Sequence, residues 1–120
     1  MKIDHAAEAE RILAARRRAE PIEPISDRLA LDMLDAYEIQ RLVFADRLRA
    51  GDARVGWKLG YTSAAMRQQM GIAGPNFGPL TAGMLVGDGD DVGDRFVQPR
   101  VEPEIALRFA HDVPPGSDRG

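Results

Sequence analysis

The segment from residue 31 to residue 50 most constrains the fold of this chain, because its apolar side chains recur close to the helical period. Two sets of residues form the apolar face: Met33, Tyr37, Phe44 and Leu48, and beside them Leu34, Ile39, Leu42 and Val43. Gly51 follows at a position where glycine often ends a helix. The pattern predicts one amphipathic helix over this segment.

A shorter helix is predicted before it, over residues 4–18. Asp4 suits the N-cap, and three consecutive arginines (residues 16–18) lie at the negative end of the helix dipole. Such a short basic run is far more often a solvated helix end than a targeting signal. Pro21 and Pro24 then end the helix and predict an extended connector.

Short elements are predicted after Gly51, because turn residues divide this part of the chain. In chain order they are a strand over residues 54–60, a short helix capped by Thr62 or Ser63 and ending at Met70, a loop over residues 74–79, a brief apolar segment over residues 84–86, an acidic turn over residues 87–93, and strands at residues 96–97 and 101–109. Helices followed by short strands predict an α+β fold with segregated elements.

Composition excludes several classes of protein. The 120 residues correspond to about one domain, and 16 basic and 19 acidic residues are interspersed, with a net charge of -3. This balance argues against nucleic-acid and anionic-membrane partners. The absence of cysteine excludes disulfides and thiolate chemistry. No apolar run spans a bilayer and the N-terminus lacks the apolar region of a signal peptide, so a soluble cytoplasmic protein is expected.

Two carboxylates flank a proline in the stretch QPRVEPEIAL, residues 98–107. On a strand, Glu102 and Glu104 would share one face, and their mutual repulsion would favour a cation between them. A hard divalent cation such as Mg²⁺ suits such oxygen ligands. An edge strand with a solvated polar face explains the same spacing, and the proline favours an edge. Spacing alone leaves both interpretations open.

Lys58 follows Trp57 in the short segment between Gly56 and Gly60. A lysine that is partly desolvated beside an aromatic ring has a lowered pKa and can serve as a general acid or base near neutral pH. The alternative is a lysine at a sheet edge whose ammonium reaches into water. The segment alone favours this alternative.

Other polar residues give weaker signals. Residues 60–63 offer hydroxyls at a helix N-terminus, which suits a substrate carboxylate but equally suits plain N-capping. Ser63 lacks the glycine-flanked elbow of a hydrolase nucleophile. The aspartates of residues 87–93 lack the spacing of a calcium loop. His5 and His111 have no evident partner and are expected to be surface residues.

Four blocks, read in order, resemble the 2-keto-4-pentenoate hydratase group of the fumarylacetoacetate hydrolase superfamily, which also contains 4-oxalocrotonate decarboxylases. The blocks are DAYEIQ (residues 35–40), VGWKLGYTSAAMRQQMG (residues 55–71), GPNFGPL (residues 74–80) and QPRVEPEIAL (residues 98–107). The resemblance runs from about Ala30 to the end of the chain. It implies a metal-dependent lyase that adds water to a small 2-hydroxy-dienoate or 2-oxo-alkenoate in aromatic-compound catabolism.

The resemblance also implies roles for individual residues. Glu102 and Glu104 match the first two carboxylate ligands of the family's Mg²⁺ or Mn²⁺, and Lys58 matches the active-site lysine of a G-x-K-x-G segment. The metal would chelate the carboxylate and 2-oxo oxygens of a 2-oxo acid and act as a Lewis acid. Three residues fall where the family places substrate-proximal groups: Tyr61, Thr62 and Ser63.

The chain departs from the family pattern at one residue of the third block. The hydratases usually read P-D-F-G, whereas this chain has Asn76 at the second position. An amide donates and accepts hydrogen bonds but cannot act as a carboxylate base, so Asn76 is retained as a substrate-binding candidate only. The decarboxylases also tend to lack an acid here. Decarboxylation of a 4-oxalocrotonate-type 2-oxo acid therefore stays open as the alternative activity.

The second departure is length, because members of this group are about twice as long and place a third metal carboxylate downstream. The implied division is a helical region with active-site loops over residues 1–91, the start of an incomplete mixed β-domain over residues 92–113, and a disordered tail over residues 114–120. Activity is expected to need the missing half, and a non-catalytic binding or assembly module is the competing expectation. Family analogy implies a homo-oligomer.

Overall fold

A computed structural model describes residues 2–94 and 96–117 of the chain. Its elements, in chain order, are α1 (His5–Arg18), a 3₁₀ helix (Ile25–Asp27), α2 (Met33–Arg49), β1 (Arg54–Gly60), α3 (Ala64–Met70), β2 (Asn76–Thr81) and a second 3₁₀ helix (Ala82–Met84). Three helices and one antiparallel strand pair confirm the predicted α+β class. The elements are less segregated than expected, because α3 lies between the two strands.

Local capping chemistry fixes the ends of α2. The Asp32 carboxylate accepts the Asp35 N–H at 2.8 Å, and the Asp35 carboxylate accepts the Asp32 N–H at 3.1 Å, which completes a capping box. After the last turn, Gly51 adopts a φ of 87°, and the Asp52 N–H donates to the Arg47 carbonyl at 3.0 Å. This is the Schellman arrangement that the glycine predicted, with Ala50 at the cap position itself.

The apolar faces of α1 and α2 pack on each other and form the small core. Ala9, Ile39 and Val43 are buried at its centre, and five half-buried residues surround them: Ile12, Leu13, Ile25, Leu31 and Leu42. The two predicted helices are thus confirmed, and each supplies apolar surface to the other. Part of the predicted apolar face of α2 is wrong, because Met33, Leu34 and Leu48 are exposed.

One carboxylate is buried at the edge of this core. Glu8 is only 7% exposed and accepts hydrogen bonds from Arg11 and Arg28, each at 2.7 Å. Because the two guanidinium groups neutralise and hydrogen-bond the buried charge, they offset much of its desolvation. The pairing ties the connector after α1 back onto that helix.

β1 and β2 form a two-stranded antiparallel sheet, with Gly60 opposite Asn76 and Lys58 opposite Gly78. The predicted loop over residues 74–79 is therefore wrong from Asn76 onward. Glycine and proline disfavour a strand locally, but pairing with β1 overrides that preference. Proline is tolerated because β2 has a strand partner on one side only in the part of the chain that the structure describes.

The strands predicted at residues 96–97 and 101–109 are also wrong, because the structure assigns no strand to them. Val101 is 97% exposed and Ile105 93% exposed, so this stretch buries almost nothing. No third strand lies beside it among residues 2–94 and 96–117 to satisfy its backbone groups. Further along, residues 114–117 form a turn in which the Ser117 N–H donates to the Pro114 carbonyl at 3.1 Å. Residues 118–120 of the predicted tail lie outside the described residues.

His5 has a partner that the sequence did not reveal. Its Nε2 lies 2.7 Å from Asp35 Oδ1, which joins the first turns of α1 and α2. The expectation of an isolated surface histidine is therefore wrong. The hydrogen bond from His5, assisted by the Asp32 N–H, holds the pKa of Asp35 below its usual value.

The left-handed end of α1 generates a stability prediction. Ala19 caps this helix with a φ of 51°, a conformation that strains a Cβ, whereas Ala50 caps α2 with a φ of -77°. We expect Ala19→Gly to raise the free energy of unfolding by about 0.5 to 1 kcal/mol in urea denaturation. The matched Ala50→Gly should lower it by a similar amount, and equal effects of the two substitutions would contradict the strain.

The His5–Asp35 pair generates a pH prediction. Because the pKa of Asp35 is lowered in the folded state, its contribution is present above the ordinary aspartate pKa of about 4 and is lost as pH falls through the lower folded value. His5→Ala should therefore destabilise the chain above about pH 4, and the difference from the wild type should shrink below it. Urea denaturation between about pH 2 and 6 measures this. His111→Ala is the control, and parallel pH curves for wild type and His5→Ala would refute the pairing.

Candidate functional site

The β1–β2 sheet presents two different faces. Trp57 packs edge-on against Phe77, with 5.6 Å between the ring centroids, and therefore belongs to the aromatic face. Because alternate residues of a strand point to opposite sides, Lys58 projects from the other face. Its cross-strand partner is Gly78, and glycines also flank it at positions 56 and 60. The space over Gly56 is open, whereas the Asn76 amide covers Gly60 and the Gln40 amide borders Gly78.

Lys58 brings the two predicted carboxylates together. Its Nζ lies 2.6 Å from Glu104 Oε1 and 3.2 Å from Glu102 Oε2. The three side chains are all about half exposed. Two residues separated by one position thus converge on a single cationic centre, although the stretch that carries them is not a strand.

The pKa of Lys58 is raised from its ordinary value, chiefly by its hydrogen bond to Glu104 and then by that to Glu102. Of the two interpretations that the sequence left open, a pKa lowered by desolvation beside Trp57 has the opposite direction and is wrong. The favoured alternative, a lysine whose ammonium reaches into water, agrees with a side chain that is about half exposed. In this arrangement Lys58 carries a proton that it can donate.

The turn between β1 and α3 holds the residues that the resemblance placed near the substrate. Tyr61 adopts a φ of 54°, and Arg67 Nη1 donates to the carbonyls of both Tyr61 and Thr62 at 2.8 Å. The Ser63 hydroxyl accepts the Met66 N–H at 3.0 Å, which confirms the predicted N-cap of α3. No hydrogen bond joins these side chains to Lys58 or the glutamates in the described part of the chain, so their substrate contact stays a prediction.

Asn76 lies on the same sheet face as Lys58. It pairs with Gly60, two residues from Lys58 along β1, and cross-strand partners share a face. A Cβ at position 60 would overlap the Asn76 side-chain oxygen, so the amide covers this glycine closely. The structure therefore groups Lys58, Asn76 and the two glutamates around the open side of the sheet.

Three residues that the sequence interpretation missed attach β2 to α2. The rings of Tyr37 and Phe77 stack with centroids 4.7 Å apart, and the Phe77 N–H donates to the Tyr37 hydroxyl at 3.4 Å. Gln40 Nε2 donates to the Phe77 carbonyl at 3.2 Å. The signal was present in the sequence, because Tyr37 and Gln40 are three residues apart in the DAYEIQ block, on one side of the helix.

The donor set fits a hard divalent cation in part. Two carboxylates that converge on one point match the one or two that Mg²⁺ takes alongside water and substrate oxygens. Within residues 2–94 and 96–117, no group of three or more histidine, cysteine, aspartate or glutamate side chains has the arrangement of a metal site. That Glu102 and Glu104 would hold Mg²⁺ or Mn²⁺ stays a prediction from the resemblance.

Comparison with known proteins identifies relatives of the chain. It is 42% identical over 109 residues to 2-keto-4-pentenoate hydratase 2 of Dechloromonas aromatica (strain RCB), a match that covers 89% of this chain and 42% of that protein. The chain is similar to the N-terminal part of the 2-keto-4-pentenoate hydratases. It is also 36% identical over 111 residues to 2-oxo-hept-4-ene-1,7-dioate hydratase of Escherichia coli, covering 91% of the chain and 42% of that enzyme.

The chain is also similar to a decarboxylase. The chain is 44% identical over 77 residues to a 4-oxalocrotonate decarboxylase of Pseudomonas sp, a match covering 63% of the chain and 30% of that protein. The resemblance predicted from the four blocks is therefore confirmed. No protein-family model matches the chain. The chain spans 42% of the length of the Dechloromonas aromatica hydratase and corresponds to its N-terminal part.

One negative finding concerns membranes. Among the described residues of the chain, no helix is long and apolar enough to cross a bilayer.

The close approach of Asn76 to Gly60 generates a prediction with an internal control. Gly60→Ala should displace the Asn76 amide and shift its side-chain NMR signals, because the new methyl group takes the space of the amide oxygen. Gly56→Ala adds a methyl group on the same strand with nothing within 4 Å, so it should leave those signals in place. Gly56→Ala should also stabilise the strand by about 0.5 to 1 kcal/mol, and Gly60→Ala by less. Identical amide spectra in both variants would refute the contact.

Proposed function

We propose that the chain is the N-terminal part of a metal-dependent hydro-lyase that adds water to a small 2-hydroxy-dienoate or 2-oxo-alkenoate such as 2-keto-4-pentenoate. The observation that carries the proposal is the convergence of Lys58, Glu102 and Glu104 in a chain homologous to such hydratases. Residues from two distant blocks meet only through folding. Their contact therefore favours a shared functional site rather than two unrelated solvent-exposed groups.

The proposed substrate is a dienol acid whose carboxylate and 2-hydroxyl oxygens bind beside the two glutamates. Protonation of the terminal carbon converts the dienol to a 2-oxo-alkenoate. Water then adds across the remaining carbon–carbon double bond, with its oxygen on the carbon distal to the 2-oxo group and a proton on the neighbouring carbon. A bound Mg²⁺ or Mn²⁺ would supply Lewis acidity toward the carboxylate and 2-oxo oxygens.

Lys58 is the proposed proton-transfer residue. An exposed lysine is an ammonium at neutral pH, so its proposed first task is to donate a proton to the substrate. Asn76, on the same face, offers an amide that both donates and accepts hydrogen bonds, which suits orientation of the substrate carboxylate or of the attacking water. The hydroxyls of Tyr61, Thr62 and Ser63 are proposed to line the neighbouring side of the substrate.

Decarboxylation of a 4-oxalocrotonate-type 2-oxo acid is the second candidate. The 44% identity to a 4-oxalocrotonate decarboxylase favours it, as does the amide at position 76 in place of a carboxylate. Loss of CO₂ from such an acid leaves a dienolate that needs only a proton. The protonated Lys58 and a neutral Asn76 serve this reaction without a general base.

A chimeric enzyme tests the hydratase proposal directly. The homologous N-terminal segment of the Dechloromonas aromatica hydratase is replaced by this chain, because the chain spans 42% of that protein. We expect the chimera to consume 2-hydroxypenta-2,4-dienoate in a Mg²⁺-dependent way, measured as loss of dienol absorbance, and the unmodified chain alone to do so far more slowly. CO₂ release from 4-oxalocrotonate without dienol hydration would favour the decarboxylase instead. A folded chimera that transforms neither acid would support a non-catalytic module.

Substitutions in the same chimera test the assigned roles. Lys58→Ala should lower kcat by about a hundredfold or more, because a positioned proton donor contributes on that order. Glu104→Ala should weaken the response to Mg²⁺ and lower turnover at saturating substrate. Arg54→Ala, on the same strand and outside the glutamate cluster, is the control and should leave kcat unchanged. Unchanged turnover in Lys58→Ala and Glu104→Ala would refute these roles.

A further inference from the structure

The contact between Lys58 and the glutamates is also the attachment of an otherwise detached segment. No other hydrogen bond or ion pair joins residues 101–110 to the rest of the described chain. The segment has no strand partner there, and its apolar side chains are exposed. The position of Glu102 and Glu104 in this structure is therefore set by the lysine ammonium.

The ammonium lies where the two carboxylates converge. Glu104 Oε1 and Glu102 Oε2 approach Nζ at 2.6 and 3.2 Å, so both side chains are turned toward one point. Chelation of a divalent cation by both carboxylates requires the same convergence. A lysine ammonium and a divalent cation bound by the same two carboxylates would lie close together and repel each other strongly.

Other nearby cations do not share this position. Arg54 lies over the Trp57 ring, with its guanidinium carbon 5.1 Å from the ring centroid. Arg67 donates to the backbone carbonyls of residues 61 and 62. Neither contacts a glutamate of the pair, so Lys58 alone among the described residues neutralises it.

We propose that Lys58 and a divalent cation are mutually exclusive occupants of the Glu102–Glu104 carboxylate pair, so that Lys58 is a built-in competitor of the metal. The inference rests on the metal site assigned under the proposed function. Metal binding then has two consequences. It frees the lysine ammonium to approach the substrate, and it breaks the two ion pairs that join residues 101–110 to β1.

Binding of Mn²⁺ to the full chain tests this competition without any substrate. The free Mn²⁺ signal in electron paramagnetic resonance gives the dissociation constant for the wild type and for three variants. Lys58→Met should bind Mn²⁺ about five- to tenfold more tightly, since two exposed ion pairs no longer have to be broken. Lys58→Arg should stay near the wild type, and Arg54→Met, which removes a charge from the same strand, should change binding less than twofold.

Three results would overturn the inference in this assay. The first is equal or weaker Mn²⁺ binding by Lys58→Met. The second is equal tightening by Arg54→Met, which would reduce the effect to general electrostatics. The third is an absence of Mn²⁺ binding in every variant, Lys58→Met included. The doubly substituted Glu102→Gln, Glu104→Gln chain should lose binding with either residue at position 58, which locates the ion at the carboxylate pair.

A second readout follows the lysine itself. The chain has two lysines, Lys2 and Lys58, so the Lys2 side chain serves as an internal control in NMR spectra. Addition of Mg²⁺ should shift the ε-methylene signals of Lys58 toward those of a free lysine over the concentration range in which Mn²⁺ binds, while Lys2 stays constant. Unchanged Lys58 signals with metal bound would show joint occupancy. Neither measurement involves turnover. Failure of the proposed competition between Lys58 and the metal can therefore be distinguished from failure of the proposed enzymatic activity.

Discussion

The pairing of β1 with β2 is the interaction on which the rest of the candidate site depends. It sets Lys58 opposite Gly78 and Asn76 opposite Gly60, which places the lysine and the amide on one face. The sheet has only two strands, and such a pair is marginal in isolation. Its support comes from α2, through the stacking of Tyr37 on Phe77 and the hydrogen bond from Gln40. The helical core thereby fixes the geometry of a site that none of its own residues enters.

Local chemistry explains why the helices and their ends were predictable. Asp4, Asp32 and Ser63 cap the helices that follow them, and glycines at positions 51 and 71 adopt the left-handed conformation after two of them. Each signal acts within one turn of the backbone. β2 depends instead on a partner strand about 20 residues away, so its glycine and proline gave a misleading local signal. The reverse error occurred at residues 101–109, where an apolar pattern typical of a strand has no partner in the described chain.

The site shows the same division between local and distant information. The spacing of Glu102 and Glu104 predicted a shared strand face, but both carboxylates reach the Lys58 ammonium from a stretch that is not a strand. The direction of the lysine pKa was not predictable, because it depends on which side chains reach the ammonium across 46 residues of chain. The salt bridge of His5 with Asp35 spans 30 residues and escaped prediction for the same reason.

The composition of the exposed segment has a consequence for solubility. Val101, Ile105 and Phe109 present apolar surface beside a sheet with free edges, which is a template for edge-to-edge association. Pro103 and the two glutamates interrupt that surface, and residues of this type act as gatekeepers against amyloid-like stacking. The carboxylates that serve the lysine are therefore also expected to lower the tendency of this stretch to associate with copies of itself.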